Sequence, residues 1–390
     1  MQINDFLAQV REQRHFDLDA VAEFTSISAS RLSDFEAGRR VPSYLQLEKL
    51  ADVYGLPAYF AASPSLPNLE EALPDFRRRE PRPAILSPAA MKKIWATQEI
   101  SHLTFQLATA VQFSAPAWAT GAAIKILTRA SAERLRSTFD EWFGRRRRRL
   151  NFIGTDEQVF LAGFRLFIEV QGTLVNINQA PASDYLGFFS YSPHTVPTIF
   201  VNRSISSKKA QLFTLAHEFA HKVTLSSGVS NPFVVKNSVE RAANRFAADF
   251  LAPMEVFGRL VEGQPKSTIS SPSSLIVAAS RGSLLSLHAA AIRLAEGGYI
   301  SQAQLGAWVR GRGQLSTSEK EEESEAAGEA RGAPHAKRVG ELGYISTYLA
   351  KLAVEERIID AVDVSAGMHL SETLQQRAFT LAARRIEAAY

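Results

Sequence analysis

The chain has 390 residues, 46% of them hydrophobic, with 44 Lys and Arg against 40 Asp and Glu for a net charge of +4. That is too long for one ordinary core and too apolar for a disordered chain, so two or three folded units are expected; the small net charge does not by itself argue for nucleic acid. The absence of cysteine excludes disulfide frameworks, thiolate metal sites and cysteine nucleophiles, and fits a reducing cytoplasm.

The opening stretch MQINDFLAQVREQRHF lacks the basic and apolar regions of an export signal. No run in the chain approaches the roughly 18 apolar residues of a membrane helix. A cytoplasmic protein without a membrane partner is expected. Over residues 5–60, Phe6, Val10, Leu18, Val21, Ile27, Leu32, Phe35, Leu47 and Leu50 recur at helical spacing with short breaks. Leu18 to Phe24 reads as one helix, Ser26 as a turn and Ser28 as the N-cap of a second helix, followed by Gly38 and Pro42. Ile27, Leu32, Phe35, Leu47 and Leu50 are the expected core.

This stretch resembles the Xre, or Cro/C1-type, helix-turn-helix family. The resemblance implies that the second helix enters the major groove of DNA, with Ala29, Ser30, Arg31 and Ser33 toward bases, Ser28 beside them at the cap, and Arg39 and Arg40 near phosphates. Residues 1–60 nevertheless carry six Lys or Arg against nine Asp or Glu, a balance of −3. Phosphate contacts supply most non-specific affinity. Weak DNA binding is therefore expected unless two chains pair as a homodimer or basic residues elsewhere help; the alternative is a module that recruits a protein.

Pro64, Pro67, Pro74, Pro81, Pro83 and Pro88 interrupt residues 61–90 and predict an extended connector. Within it, LPDFRRRE at 73–80 is similar to a segment common in proteins that join an Xre-like domain to a peptidase. From Ser87 to Phe143 helical spacing returns, broken around Pro116, and Arg145 to Arg149 form a basic run read as solvated surface. The β-branched and aromatic stretches RLFIEVQG, TLVNIN, GFFSYS and TIFVN predict strands between Leu161 and Val201. Helices are expected over 206–226 and 238–251, the second stopped by Pro253. Residues 311–340, with the acidic tract Glu319 to Glu325, lack large apolar side chains and predict a linker. Trp95, Trp118, Trp142 and Trp308 are expected in cores or between domains. The domain reading is therefore 1–62, a connector 63–90, a helical region 91–150, an α+β unit 151–310, a linker 311–340 and a helical segment 341–390. The fold class is multidomain, mainly α with a small β-sheet.

The chemistry centres on LFTLAHEFAHKV. His217 and His221, four residues apart, project from one helix face and can reach one ion, while Glu218 can take a proton from an activated water and return it to a leaving amine. A catalytic zinc usually takes three protein ligands. VERAANRFAADFLAP offers Glu240 as the best oxygen donor, with Ala243, Asn244 and Ala247 on the same face, and Asp249 as a weaker substitute. Tyr185, Tyr191, His194 and Arg241 are candidates for stabilising an oxyanion, and the sequence does not choose among them.

Residues 161–300 resemble the ImmA/IrrE metallopeptidases, which carry an FTLAHE-type helix and an E-x-x-A-N-x-F-A helix ending in Leu-x-Pro, here Phe213 to His221 and Glu240 to Pro253. Ala252 departs from the larger residue usual there. The resemblance implies an α+β zincin-like fold, Zn2+ held by His217, His221 and Glu240, Glu218 as catalytic residue, and a structural role for His288. It also implies a narrow protein substrate, a repressor or antitoxin-like partner such as one encoded by a neighbouring gene, in a stress or phage response. The alternative is a regulator or antitoxin whose metal site is structural or ligand-sensing and cuts nothing.

Overall fold

The computed structural model describes residues 2–14, 16–56, 86–113, 124–205, 207–230, 238–312 and 333–390. It is mainly helical with one four-stranded sheet. Four short helices open the chain: α1 (Ile3–Gln13), α2 (Leu18–Thr25), α3 (Ala29–Glu36) and α4 (Tyr44–Tyr54). Asp17, Ser28 and Ser43 cap the N-termini of α2, α3 and α4 by accepting backbone N–H bonds. Ser26, with φ of 58°, makes the left-handed turn between α2 and α3. Ile27, Leu32, Phe35 and Leu50 are buried and Leu47 partly so, close to the expected core.

The next helix, α5 (Pro88–Ala110), joins this module to the rest. Arg14 stacks 3.4 Å over the Trp95 ring and donates to the Tyr54 carbonyl. Burial, only partly offset by Glu99, pulls the Arg14 pKa down to about 9. Behind α5 come α6 (Arg129–Leu150) and α7 (Asp156–Glu169). The helix α7 corrects one expectation, because RLFIEVQG was read as a strand. Thr155 and Gln158 form a capping box that starts a helix, and its side chains are buried on several faces. Phe164, Phe167 and Ile168 enter one core while Leu166 enters another, with Val170 just beyond the helix end. A helix buried all round loses the polar stripe that would have betrayed its period.

The sheet contains β1 (Leu174–Asn178), β2 (Gly187–Ser190), β3 (Thr198–Asn202) and β4 (Gly228–Ser230) in the order β1-β3-β2-β4. The strand β1 runs parallel to β3, whereas β2 is antiparallel to β3 and to β4. Alternation divides the residues between two buried faces. Val175, Phe189, Ile199 and Val201 pack toward α8 (Lys208–Thr224) and α9 (Ser238–Leu251). Phe188 and Phe200, stacked 4.9 Å apart, face α5 and the N-terminal helices. The three later strand expectations thus fall on β1, β2 and β3, and β4 was not anticipated.

Helices α10 (Met254–Glu262), α11 (Lys266–Ile269), α12 (Pro272–Arg281), α13 (Leu287–Glu296) and α14 (Gln302–Arg312) follow. The last group is α15 (Pro334–Leu342), α16 (Tyr344–Glu355), α17 (Ala361–Met368) and α18 (Glu372–Ala389). The helix α15 begins inside the stretch read as linker, where Val339 and Leu342 supply a buried edge. Fully buried Glu169 ties this group to α7: it accepts from Arg165 at 2.8 Å and from the Ile345 N–H at 2.9 Å, while Arg165 also donates to the Val339 carbonyl. Trp95, Trp142 and Trp308 pack against cores. Trp118, the connector motif and the tract Glu319 to Glu325 lie outside the described residues. The basic run partly serves packing: Arg146 and Arg149 donate to the carbonyls of Ala389 and Glu387 at the end of α18, a favourable place for cations. No helix among the described residues is long and apolar enough to cross a membrane.

Candidate metal centre

The helix α8 starts at the Ser207 N-cap and ends where Leu225 turns left-handed. Leu212, Leu215, Ala216, Phe219, Ala220 and Val223 bury it in the principal core, which leaves His217 and His221 on the face toward α9. Ala243 and Ala247, both 0% exposed, let α9 approach closely. Glu240 lies three and seven residues before them, on the same face.

His217, His221 and Glu240 form a group whose ligand atoms lie within 4.8 Å of one another. The Nε2 atoms of the histidines are 3.1 Å apart. His217 Nε2 is 3.3 Å from Glu240 Oε2, and His221 Nε2 is 3.2 Å from Glu240 Oε1. Four ligands placed tetrahedrally at about 2.0–2.1 Å from zinc would stand about 3.3 Å from each other. The three edges therefore match one face of such a tetrahedron and leave a fourth corner. Two imidazoles and a carboxylate, without sulfur, are also an ordinary donor set for a divalent ion that keeps an open position.

The electrostatics agree. Burial drives the His217 imidazole down, but the hydrogen bond and charge of Glu240 outweigh it and leave the pKa raised. His221 is lowered, by burial and by repulsion from His217. Burial raises Glu240, yet the two histidines overcome that and hold its pKa low. A buried carboxylate with two imidazoles thus draws positive charge into the cluster, which a divalent ion would supply.

Asn244, one turn beyond Glu240, has Oδ1 2.8 Å from His217 Nδ1. An Nδ1–H donated to that amide oxygen would leave Nε2 as the nitrogen that ligates an ion held together with His221 and Glu240. Gly187 in β2 is the second unforeseen participant. A Cβ there would lie 2.6 Å from Glu218 Oε1 and 2.9 Å from its Cγ. Only glycine lets β2 run against the Glu218 side chain without displacing it. The sequence places Asn244 on the same helix face as Glu240 and gives no local sign of either contact.

Asp249 is elsewhere. It meets Arg293 at 2.7 Å and Arg129 at 3.4 Å, and Arg293 also donates to the Ala252 carbonyl, which fixes the end of α9. The Tyr185 hydroxyl donates to the Ala90 carbonyl on the far side of the sheet, and Arg241 is exposed. Tyr191 packs against the principal core and His194 borders α5 through its carbonyl and Phe105. His288 is exposed beside Trp308. A surface groove of about 580 Å³, lined in part by Arg149, Lys351, Arg384 and Glu387, contains none of the centre's residues.

In the N-terminal module Ser28, Ser30, Arg31, Arg39 and Arg40 are exposed, while Ala29 and Ser33 are half-buried. Asp34 holds both Arg39 at 2.8 Å and Arg40 at 3.4 Å. Arg11 is likewise committed to Glu36 at 2.7 Å.

Residues 2–58 match the family model described as a helix-turn-helix domain, and residues 168–268 match that of the IrrE N-terminal-like domain, a peptidase family. The chain therefore joins an Xre-like helix-turn-helix domain to an ImmA/IrrE-type peptidase-family domain. Comparison with curated proteins and with solved structures gives no match.

Proposed function

We propose that this chain is a zinc-dependent, site-specific endopeptidase coupled to a DNA-binding regulator domain, and that it cleaves a repressor or antitoxin-like protein in the cytoplasm. The observation that carries this reading is the convergence of His217, His221 and Glu240 from two helices beside Glu218. These three residues would hold Zn2+, and the bound ion would supply Lewis acidity to polarise a scissile carbonyl and acidify a water. Glu218 accepts the proton of the attacking water at a carboxylate oxygen and delivers it to the leaving amine. Asn244 keeps His217 in the ligating tautomer, and the bare Cα of Gly187 allows Glu218 its rotamer. The oxyanion partner stays open: the Tyr185 hydroxyl is already engaged behind the sheet.

Bases would be read by Ala29, Ser30, Arg31 and Ser33 with Ser28 at the cap, and phosphates by Arg39 and Arg40. A homodimer would double these contacts. The burial of all four metal-centre side chains also suits a structural or ligand-sensing ion. One experiment separates the readings: zinc-loaded protein and its Glu218→Gln variant are incubated with the repressor encoded beside the gene. A single cleavage, lost by at least about 100-fold in the variant in line with the usual contribution of a general base while zinc remains bound, is expected. No difference between the two proteins would leave only the non-cleaving role.

A further inference from the structure

The groove of about 580 Å³ that lies apart from the metal centre is a hollow left between α6, α16 and α18. On α18 its wall is Thr380, Ala383, Arg384, Glu387 and Ala388, spaced three and four apart and so on one side of the helix. Ala383 is buried and Ala388 half-buried, and their methyl groups are too short to fill the space, so they form an apolar floor. The rim is cationic. Arg149 reaches it from the end of α6, Lys351 from α16 and Arg384 from α18, the two arginines being exposed.

The protein does little to cancel these charges. Arg384 has no ion-pair or hydrogen-bond partner among the described residues. Arg149 donates to the main-chain carbonyl of Glu387 at 3.2 Å, a neutral acceptor that leaves the charge in place. Lys351 meets Glu355 at 2.6 Å, but that carboxylate is 56% exposed and such a pair is weak. Among the described residues that line the groove, Glu387 alone is acidic. Burial lowers the pKa of the adjacent Arg385, Tyr344 opposes that, and the charge of Arg384 adds to it, as expected where positive charge is crowded.

The planar fork of arginine matches phosphate oxygens, and lysine adds a point charge. One cation from each of three helices around a single hollow suits a compact anion, whereas a nucleic-acid backbone calls for cations strung along a face. The volume also falls within the roughly 300–1,000 Å³ of small-molecule sites. We infer that this groove binds a small organic phosphate, its phosphate held by Arg149, Lys351 and Arg384 and its apolar part lying over Ala383 and Ala388. The site is separate from the metal centre and stands whether or not that centre cuts peptides.

The test titrates para-fluorophenyl phosphate into the full zinc-loaded chain and follows the ligand by fluorine NMR. Binding with a Kd below about 1 mM is expected. Arg384→Gln should weaken it at least about tenfold, as loss of a charge-assisted hydrogen bond does. Arg377→Gln removes the same charge from the same helix outside the groove and should leave the affinity unchanged, while Glu387→Gln, which removes the opposing charge, should tighten it. Inorganic phosphate should compete more weakly, because it leaves the alanines uncovered; equal competition would reduce the groove to a free-phosphate site and refute the organic ligand. Equal affinity in the wild type and Arg384→Gln, or equal losses in Arg384→Gln and Arg377→Gln, would overturn the site. So would a short DNA duplex that binds through Arg384 while the phenyl phosphate does not, since that result assigns the groove to nucleic acid.

Discussion

His217 assigns opposite duties to its two ring nitrogens. Nε2 faces His221 and Glu240, while Nδ1 meets Asn244 at 2.8 Å. Loss of a residue that orients a metal-ligating histidine through its other ring nitrogen typically lowers metal affinity about 10–100-fold. Asn244→Ala should show that loss in a competition titration with a zinc-binding dye, whereas Asn244→Asp, which still accepts from Nδ1–H, should stay near wild type. Equal affinities in all three proteins would show that the amide does not orient the ring. The two histidines and Glu218 were legible because helical spacing is local: four residues place two side chains on one face. Glu240 was reached by elimination and then by resemblance, since nothing local fixes which later helix packs against α8. Gly187 was invisible for a stronger reason: its importance lies in a contact with a residue 31 positions away.

At the level of elements, misreadings share a cause. The apolar run of α7 looked like a strand because both flanks of that helix are buried, one against α8 and the other against the C-terminal helices. In β4 a three-residue strand within LSSGVS carries too little alternation to register as one. The Glu169 carboxylate on α7 binds the first turn of α16. Glu169→Ala would leave Arg165 buried without its counter-charge, and a loss of about 3–5 kcal/mol is expected in urea unfolding. Burial, opposed by Arg165 and by backbone N–H groups of Ile345 and Tyr344, holds the Glu169 pKa above its ordinary 4.5. The folded chain therefore binds this proton more tightly than the unfolded chain. Its stabilising contribution is full below the ordinary value and disappears as pH rises through the folded value. Glu169→Gln cannot titrate, so its stability should be flatter across that range; parallel pH profiles would contradict the assignment.

Across the whole molecule, charge and fold pull apart in the N-terminal module. The helix-turn-helix geometry was legible from caps and core spacing, but the acidic balance predicted weak DNA binding without saying where the arginines go. Asp34 pairs with both of the arginines expected near phosphates. Asp34→Ala should free them, and each added phosphate contact should steepen the dependence of log affinity on log salt by about 0.9. A slope that does not change, measured by fluorescence anisotropy over a salt series, would favour a protein-recruiting role for the module. The apolar back of the sheet has a further consequence for how this chain can be divided. Phe188, Phe200 and Tyr185 are covered by Leu86, Ala90, Met91 and Ile94 together with the N-terminal core. A shortened protein beginning at residue 124 would present those rings to water and should accumulate as insoluble aggregate, whereas one beginning at residue 86 keeps α5 as their lining and should remain soluble.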